Sequence, residues 1–248
     1  MEQIPLPPAP ALKKTIMDVF TSPAEAFDGL KESASSAALW VVPLIVTICI
    51  LIASVVTLYT NNSLKVEMRE MQSKAFQQRV VEGKMTAEQA EQIESRMDSM
   101  GSGMMIAFGI IGGTIGMAIF FFGGALLLWL ADKSILKAAA GYGKHLELFG
   151  IASWIGVLGS IVTIIMMAGL GTMGATPSAA LAVFGSYDAS LTMHKILSAI
   201  NIFTIWEAIV AGFGLSKLSG KSTGAGISVS FLVFVLMTLI SFALGFAR

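Results

Sequence analysis

Long apolar runs alternate with short polar segments along most of this chain. Five of the runs reach the roughly 17–25 residues that a helix needs to cross the hydrocarbon core of a bilayer. They lie at 37–60, 104–131, 148–170, 196–215 and 225–246, and none has a lysine or arginine well inside it. The pattern predicts an all-α polytopic membrane protein, with five transmembrane helices in one bundle.

The polar segment 61–103, between the first two runs, also has helical periodicity. Its apolar residues recur at helical spacing in two series, Leu64, Met68, Met71 and Ala75, then Ala90, Ile93, Met97 and Met100. Gly83 marks a turn between the series, and Thr86 followed by Gln89 is a capping-box signal for the second helix. We expect an extracytoplasmic helical hairpin with facing methionine-rich stripes. It either binds a partner or covers the mouth of the bundle.

Residues 1–36 form a polar, proline-rich leader followed by two short amphipathic helices, predicted within 11–33. Ser22 suits the N-cap of the second helix, Pro23 its first position, and Glu25 a capping box. These helices either lie in the membrane interface or pack on the bundle. Residues 37–248 then form the transmembrane domain.

Composition excludes most soluble functions. The chain has 248 residues, of which 55% are hydrophobic and 13% charged, whereas soluble domains are about 25% charged. Too little polar surface is available to cover a soluble enzyme. Lys+Arg and Asp+Glu number 16 each, which argues against a basic nucleic-acid binder.

The lysines outside 61–103 indicate an orientation. An odd number of spans places the two termini on opposite sides of the membrane, and cytoplasmic loops carry an excess of Lys and Arg. The side of the N-terminus then carries Lys13, Lys14, Lys31, Lys133, Lys137, Lys144, Lys217 and Lys221, whereas the other side carries Lys195 and Arg248. We therefore expect a cytoplasmic N-terminus.

Motifs that suggest chemistry lack the context that they need. Residues 169–174 match G-x-G-x-x-G, but an apolar helix precedes them where a dinucleotide site requires a strand. A phosphate-binding loop at 215–223 would need glycine where Leu215 stands. His145 and His194 are the two histidines, and neither belongs to a metal-spaced cluster. We predict no catalytic residue, no cofactor and no metal.

Small residues within the spans indicate close helix packing. The second span has two overlapping G-x-x-x-G pairs and the third has a row of small residues: Gly109 with Gly113, Gly112 with Gly116, and Ala152, Gly156 and Ser160. Such rows let helix backbones approach closely in lipid. They serve either packing within the chain or the seam of a homodimer.

Glu207 lies near the middle of the fourth predicted span, where an ionisable side chain is costly and is a functional candidate. Asn201 and Thr204 extend a polar stripe beside it. The carboxyl is either a structural group, protonated or hydrogen-bonded to a neighbouring helix, or part of an ion pathway. We expect the structural role because no second ionisable residue lies within the spans.

Three segments carry a resemblance to a known family. Residues 15–30 contain Phe-x-Ser22-Pro23-x-x-x-Phe27, residues 141–158 are a glycine-rich entry into the third span, and Phe203-x-x-Trp206 opens the fourth. These features resemble the Yip (Ypt-interacting protein) family of five-span membrane proteins. The chain is similar to its bacterial branch, which implies a bacterial cytoplasmic membrane location.

The resemblance implies a non-enzymatic accessory protein that binds and modulates another membrane complex. Some bacterial relatives accompany ABC-type efflux systems, so ABC exporter subunits are the implied partners. We expect the contact on 61–103, through Met68, Met71, Phe76, Ile93 and Met97. The alternative is a small transporter or channel that uses the polar stripe around Glu207.

Overall fold

The structure is a computed structural model that describes residues 6–188 and 191–243. These residues are mainly helical and contain no strand beyond an isolated bridge between Ser178 and Asn201. The helices are α1 (Leu12–Thr21), α2 (Ala38–Thr60), α3 (Asn62–Val81), α4 (Ala87–Ser99), α5 (Ser102–Ala131), α6 (Tyr142–Leu170), α7 (Thr192–Ala199), α8 (Ile202–Ser219) and α9 (Thr223–Ala243). Three short helical turns lie between them, at Glu25–Phe27, Asp132–Leu136 and Ala179–Ser186.

Five of the described helices are long and apolar enough to cross a membrane: α2, α5 with the turn that follows it, α6, α8 and α9. This confirms the prediction of an all-α polytopic membrane protein. The second and third spans are longer than predicted, at Ser102–Leu136 and Tyr142–Leu170. The fifth runs over Thr223–Ala243, and residues 244–246 of the prediction lie outside the described residues.

The fourth span begins at Ile202, so the predicted start at 196 is wrong. Residues 192–199 form the separate helix α7. Helical continuity is lost because the backbone at 200–201 pairs elsewhere: Ala179 N donates to Ile200 O at 2.9 Å, and Asn201 bridges Ser178. Residues 196–199 continue the apolar run up to this break, so hydropathy alone does not reveal it.

Backbone contacts divide the chain into two compact units. The first unit comprises residues 6–48, 117–159 and 202–243 of the described chain. In it α6 and α8 are antiparallel, since Leu148 contacts the Cα side of Gly214 and Phe203 contacts that of Gly159. Helix α9 packs back on α8 with Ile227 against Gly212.

The N-terminal segment packs into the core of the first unit, as one of the two predicted alternatives had it. Val19, Phe27 and Leu30 are fully buried there. The predicted second helix is wrong, because only the 3₁₀ turn Glu25–Phe27 forms. Gly29, with a φ of 72°, ends the turn after Asp28.

The second unit comprises Cys49–Gly116 and the described residues of Ser160–Asn201. Helices α3 and α4 form the predicted helical hairpin, turning at Gly83 with a φ of 68°. The capping box at Thr86 is present: Gln89 N donates to Thr86 Oγ1 at 3.1 Å, and Thr86 N donates to Gln89 Oε1 at 2.9 Å. Arg69 of α3 pairs with Asp98 of α4 at 3.2 Å.

Candidate functional site

Glu207 lies on α8 with its carboxyl group against α6. Its Oε2 is 2.7 Å from the position that a Cβ atom on Gly156 would occupy. The absence of a side chain at Gly156 therefore provides the space for the carboxyl group. Three residues further along α6, Gly159 does the same for Phe203. Gly156 and Gly159 of the third span thus pack against α8 within this chain.

The polar stripe around Glu207 is smaller than predicted. Thr204 lies in the first turn of α8, but Asn201 precedes the helix and takes part in the bridge to Ser178. Over residues 6–188 and 191–243, no hydrogen bond to the Glu207 carboxyl is present, and the carboxyl lies against Gly156. A proton or ion pathway needs consecutive polar groups, so this packing favours a structural role.

A second polar cluster lies where α5 ends and α6 begins. Asp132 opens the π-helical turn Asp132–Leu136, and its Oδ2 lies 2.7 Å from Nε2 of His145. Both side chains are fully buried. Nδ1 of His145 lies 3.0 Å from the carbonyl oxygen of Gly141. Since a carbonyl only accepts, Nδ1 carries a hydrogen, and a further proton must lie between Nε2 and Oδ2.

Lys144 and Glu147 extend this cluster along the first turn of α6. They pair at 2.9 Å, and Glu147 Oε1 accepts a hydrogen bond from Ser36 N at 2.9 Å. Lys144 also donates to Ala34 O at 3.3 Å. The pair is nearly buried, and charge-assisted hydrogen bonds of this kind are stronger than neutral ones. It fastens the segment before α2 to the start of α6.

These four residues are not predicted as a site from the sequence. There, His145 is an isolated histidine and Lys144 contributes only to the predicted orientation. The available signal was the density of ionisable residues between Asp132 and Glu147, at the end of one span and the start of the next. Local spacing could suggest the pair of Lys144 and Glu147, which are three residues apart. It could not reveal the buried partner of His145.

On the α3–α4 hairpin, the five predicted contact residues are buried or half-buried. Met68 is buried, with 3% of its surface exposed. Met71, Phe76, Ile93 and Met97 are half-buried. The outward face instead presents Val66 and, at the end of α3, Val81, which is 87% exposed.

Glu82, just after α3, stands among polar partners. A hydrogen bond from Lys84, together with one from Gln78, holds the pKa of the Glu82 carboxyl below its usual range. At its other end, α3 also holds the loop after α6: Glu67 accepts hydrogen bonds from Thr172 Oγ1 at 3.0 Å and Met173 N at 2.7 Å. The hairpin is therefore fastened at its base, whereas its turn is exposed.

The two G-x-x-x-G pairs of α5 have different surroundings. A Cβ at Gly109 or Gly113 would lie 3.0 Å from Val55 or Leu51 of α2, respectively. A Cβ at Gly112 or Gly116 would have no neighbour within 4 Å. One pair therefore packs on α2, whereas the other faces outward.

The family-like residues cluster in the first unit. Phe27 is fully buried against Gly214, and the ring of Trp206 lies 6.4 Å from that of Phe203 and 6.1 Å from that of Phe20. Ser22 ends α1 and Pro23 follows it. The predicted N-cap role of Ser22 is wrong, because Ser22 is the C-cap of α1 and Ala24 is the N-cap of the turn Glu25–Phe27. These residues join the N-terminal segment to α8.

A metal-binding group of three or more His, Cys, Asp or Glu side chains is not found among the described residues. The helices and the buried polar clusters define an all-α integral membrane protein whose ionisable interior groups lie at span ends and against glycine. The sequence model of the Yip1 domain matches residues 17–244. The chain therefore belongs to the Yip1 domain family.

A curated relative agrees with this class. The chain is similar to membrane protein YknW of Bacillus subtilis (strain 168), with 26% identity over 230 residues. The match covers 92% of this chain and 89% of that protein. No solved structure matches the chain.

Proposed function

We propose that this protein is a non-enzymatic accessory protein that binds and modulates another membrane complex. The family resemblance implies an ABC-type efflux system as the partner. The supporting observation is the α3–α4 hairpin, a polar structure of Asn62–Val81 and Ala87–Ser99 set between two apolar spans. Neither spanning nor packing requires so long a polar insertion.

The hairpin is stabilised by its own interactions. Asn61 Oδ1 accepts a hydrogen bond from Leu64 N at 3.2 Å and caps α3, and the capping box at Thr86 begins α4. Helices of 13 to 20 residues are marginal in isolation. Their caps, the Arg69–Asp98 ion pair and the inward methionines together support a preformed contact surface.

In this proposal the hairpin lies outside the cytoplasm and the N-terminus inside it, in a bacterial cytoplasmic membrane. The exposed valines then serve as apolar contacts. Val81 is 87% exposed on a polar segment, where an apolar side chain gains free energy only when a partner covers it.

The test is to replace residues 66–98 with a short Gly/Ser linker in the full chain and to identify co-purifying proteins after mild solubilisation. We expect normal membrane levels and loss of the partner. A second variant, Val81→Arg, keeps the fold and should reduce partner recovery. Leu181→Arg, which places the same charge on another exposed apolar position, is the matched control. Unchanged partner recovery in the linker variant contradicts the proposal.

A second candidate function is a small transporter or channel, and Glu207 is the observation that favours it. A carboxyl group within a span, without a hydrogen-bond donor in the described chain, could bind a cation or proton. Flux into proteoliposomes that contain the purified chain tests it. Flux that Glu207→Gln abolishes supports transport, whereas absence of flux leaves the accessory function as the better account.

A further inference from the structure

The turn between α5 and α6 combines charge, aromatic rings and exposed apolar side chains at the end of a membrane span. Lys133 and Lys137 are both exposed there. Nζ of Lys133 lies 5.1 Å from the centre of the Trp129 ring, and the Trp129 and Tyr142 rings meet edge to face with their centres 6.3 Å apart. Tryptophan and tyrosine favour the level of the lipid headgroups.

Two apolar side chains of the same segment point away from the protein. Leu130 is 47% exposed and Ile135 is 51% exposed. Leu130 precedes the π-helical turn Asp132–Leu136 and Ile135 lies within it. Acyl chains are the environment that such residues require at the end of a span. Apolar and cationic groups are therefore presented together, as at the surface of a bilayer.

The charges of the turn are not neutralised locally. Asp132, the acidic residue of the turn, is fully buried and is bound to His145. Neither Lys133 nor Lys137 has an ion pair among the described residues. The ammonium group of Lys133 over the Trp129 ring, and that of Lys137 four residues further along the chain, are suited to an anionic oxygen from outside the chain.

Lys137 also has an unfavourable backbone. Its φ is 61°, in the left-handed region, and it is the one non-glycine residue with a positive φ among the residues described. Glycine takes this conformation without steric cost, and lysine does not. A lysine at position 137 therefore lowers local stability.

We propose that this turn binds the phosphate of an anionic phospholipid headgroup between Lys133 and Lys137, with Trp129 and Tyr142 at the headgroup level and Leu130 and Ile135 against the acyl chains. A phospholipid provides both an anionic phosphate for the lysines and acyl chains for the apolar side chains. The site is independent of any protein partner on the α3–α4 hairpin.

The experiment measures lipid binding to the purified full chain by native mass spectrometry, with phosphatidylglycerol and with phosphatidylcholine. The wild type should bind phosphatidylglycerol preferentially. Each basic residue near an anionic surface contributes about a factor of five in affinity, so Lys133→Gln with Lys137→Gln should lower the preference roughly twenty-five-fold.

The matched control removes the same charge from the same unit, with Lys31→Gln and Lys221→Gln. These lysines are exposed and have no ion pair in the described chain. The preference should change little. An equal loss in the control would show a diffuse surface effect and overturn the site. Equal binding of glycerol 3-phosphate would also overturn it, because the acyl contacts would then contribute nothing.

Lys137→Gly provides a test whose outcome cannot be explained by loss of folding. Glycine relieves the left-handed backbone, so the midpoint of thermal unfolding should rise. The preference for phosphatidylglycerol should fall about fivefold at the same time. A more stable variant with unchanged lipid preference would refute a binding role for Lys137 and with it the proposed site.

Discussion

Oε2 of Glu207 lies 2.7 Å from where a Cβ atom on Gly156 would be. Helices α6 and α8 thus approach closely at a carboxyl group and a glycine. The contact relates the small-residue row of the third span directly to the ionisable group of the fourth. Contacts of this kind also predict which alanine substitutions along these spans are the more destabilising.

Gly159→Ala should destabilise the protein more than Gly156→Ala. A Cβ at Gly159 would lie 2.6 Å from Cβ of Phe203, which is fixed to the backbone, whereas at Gly156 it meets the end of a flexible side chain. Overpacking of this kind costs about 1–3 kcal/mol. Thermal unfolding in detergent measures the difference.

Gly112→Ala is the control for this pair. The glycine has open space around it, and alanine is favoured over glycine in a helix by about 1 kcal/mol. We expect an unchanged or slightly higher midpoint. A loss equal to that of Gly159→Ala would mean that Gly112 is packed against something, such as a second copy of the chain.

Glu207→Gln should preserve folding, membrane level and activity, because the amide has the shape of the carboxylic acid and carries no charge. Glu207→Lys should impair folding, since it places a longer, charged side chain against Gly156 within a span. Size-exclusion profiles and protein levels check both. A well-folded Gln variant that loses function would contradict the structural role.

Asp132→Ala should be strongly destabilising. It leaves His145 fully buried without its partner at 2.7 Å, and breaking a buried pair costs about 3–5 kcal/mol. Asp132→Asn should retain most stability, because its amide can donate to Nε2. The Lys217–Asp28 pair is the matched surface control. Its side chains are 44% and 56% exposed, so Asp28→Asn should cost at most about 1 kcal/mol.

Thr86→Ala should fray the first turn of α4. It removes the Oγ1 atom that accepts from Gln89 N, and loss of such a cap costs about 1 kcal/mol. Amide hydrogen exchange should rise in Ala87–Ser99 and stay constant in the spans. Ser95→Ala, at an exposed position in the middle of α4, should show no such rise.

The orientation can be tested by cysteine labelling after Cys49 is replaced with alanine. Single cysteines at Ala139 and Lys221 should be protected from a membrane-impermeant maleimide in intact cells, and those at Lys84 and Gly185 should react. All four positions are exposed in the structure. Labelling of 84 and 139 from the same side would be incompatible with five spans.

Two capping-box signals show how well the local sequence predicts where a helix begins. Thr86 with Gln89 forms the predicted box, whereas Ser22 with Glu25 does not. The first is followed by a helix of 13 residues, while the second is soon followed by Gly29 in a left-handed conformation and by the buried side chains of Phe27 and Leu30. Local signals predict a helix start only where packing allows the helix to continue.

The spans were predictable because each is a continuous apolar run in the sequence. The polar clusters were not predictable from the sequence. Ser36 and Glu147 are 111 residues apart, and no spacing within either segment points to the other. Asp132 and His145 are closer, at 13 residues, but a π-helical turn and the left-handed Lys137 set their approach. Irregular backbone of this kind has no simple periodicity in the sequence from which it can be predicted.

The junction at Asn61 has a mechanical consequence. One residue separates the end of α2 from the start of α3, and two separate α4 from α5. Asn61 is itself hydrogen-bonded as a cap. A linker this short cannot absorb rotation as a flexible tether would. We therefore expect a force applied to the hairpin at Gly83 to change the tilt of α2 and α5, and a longer linker at 61 to remove this coupling.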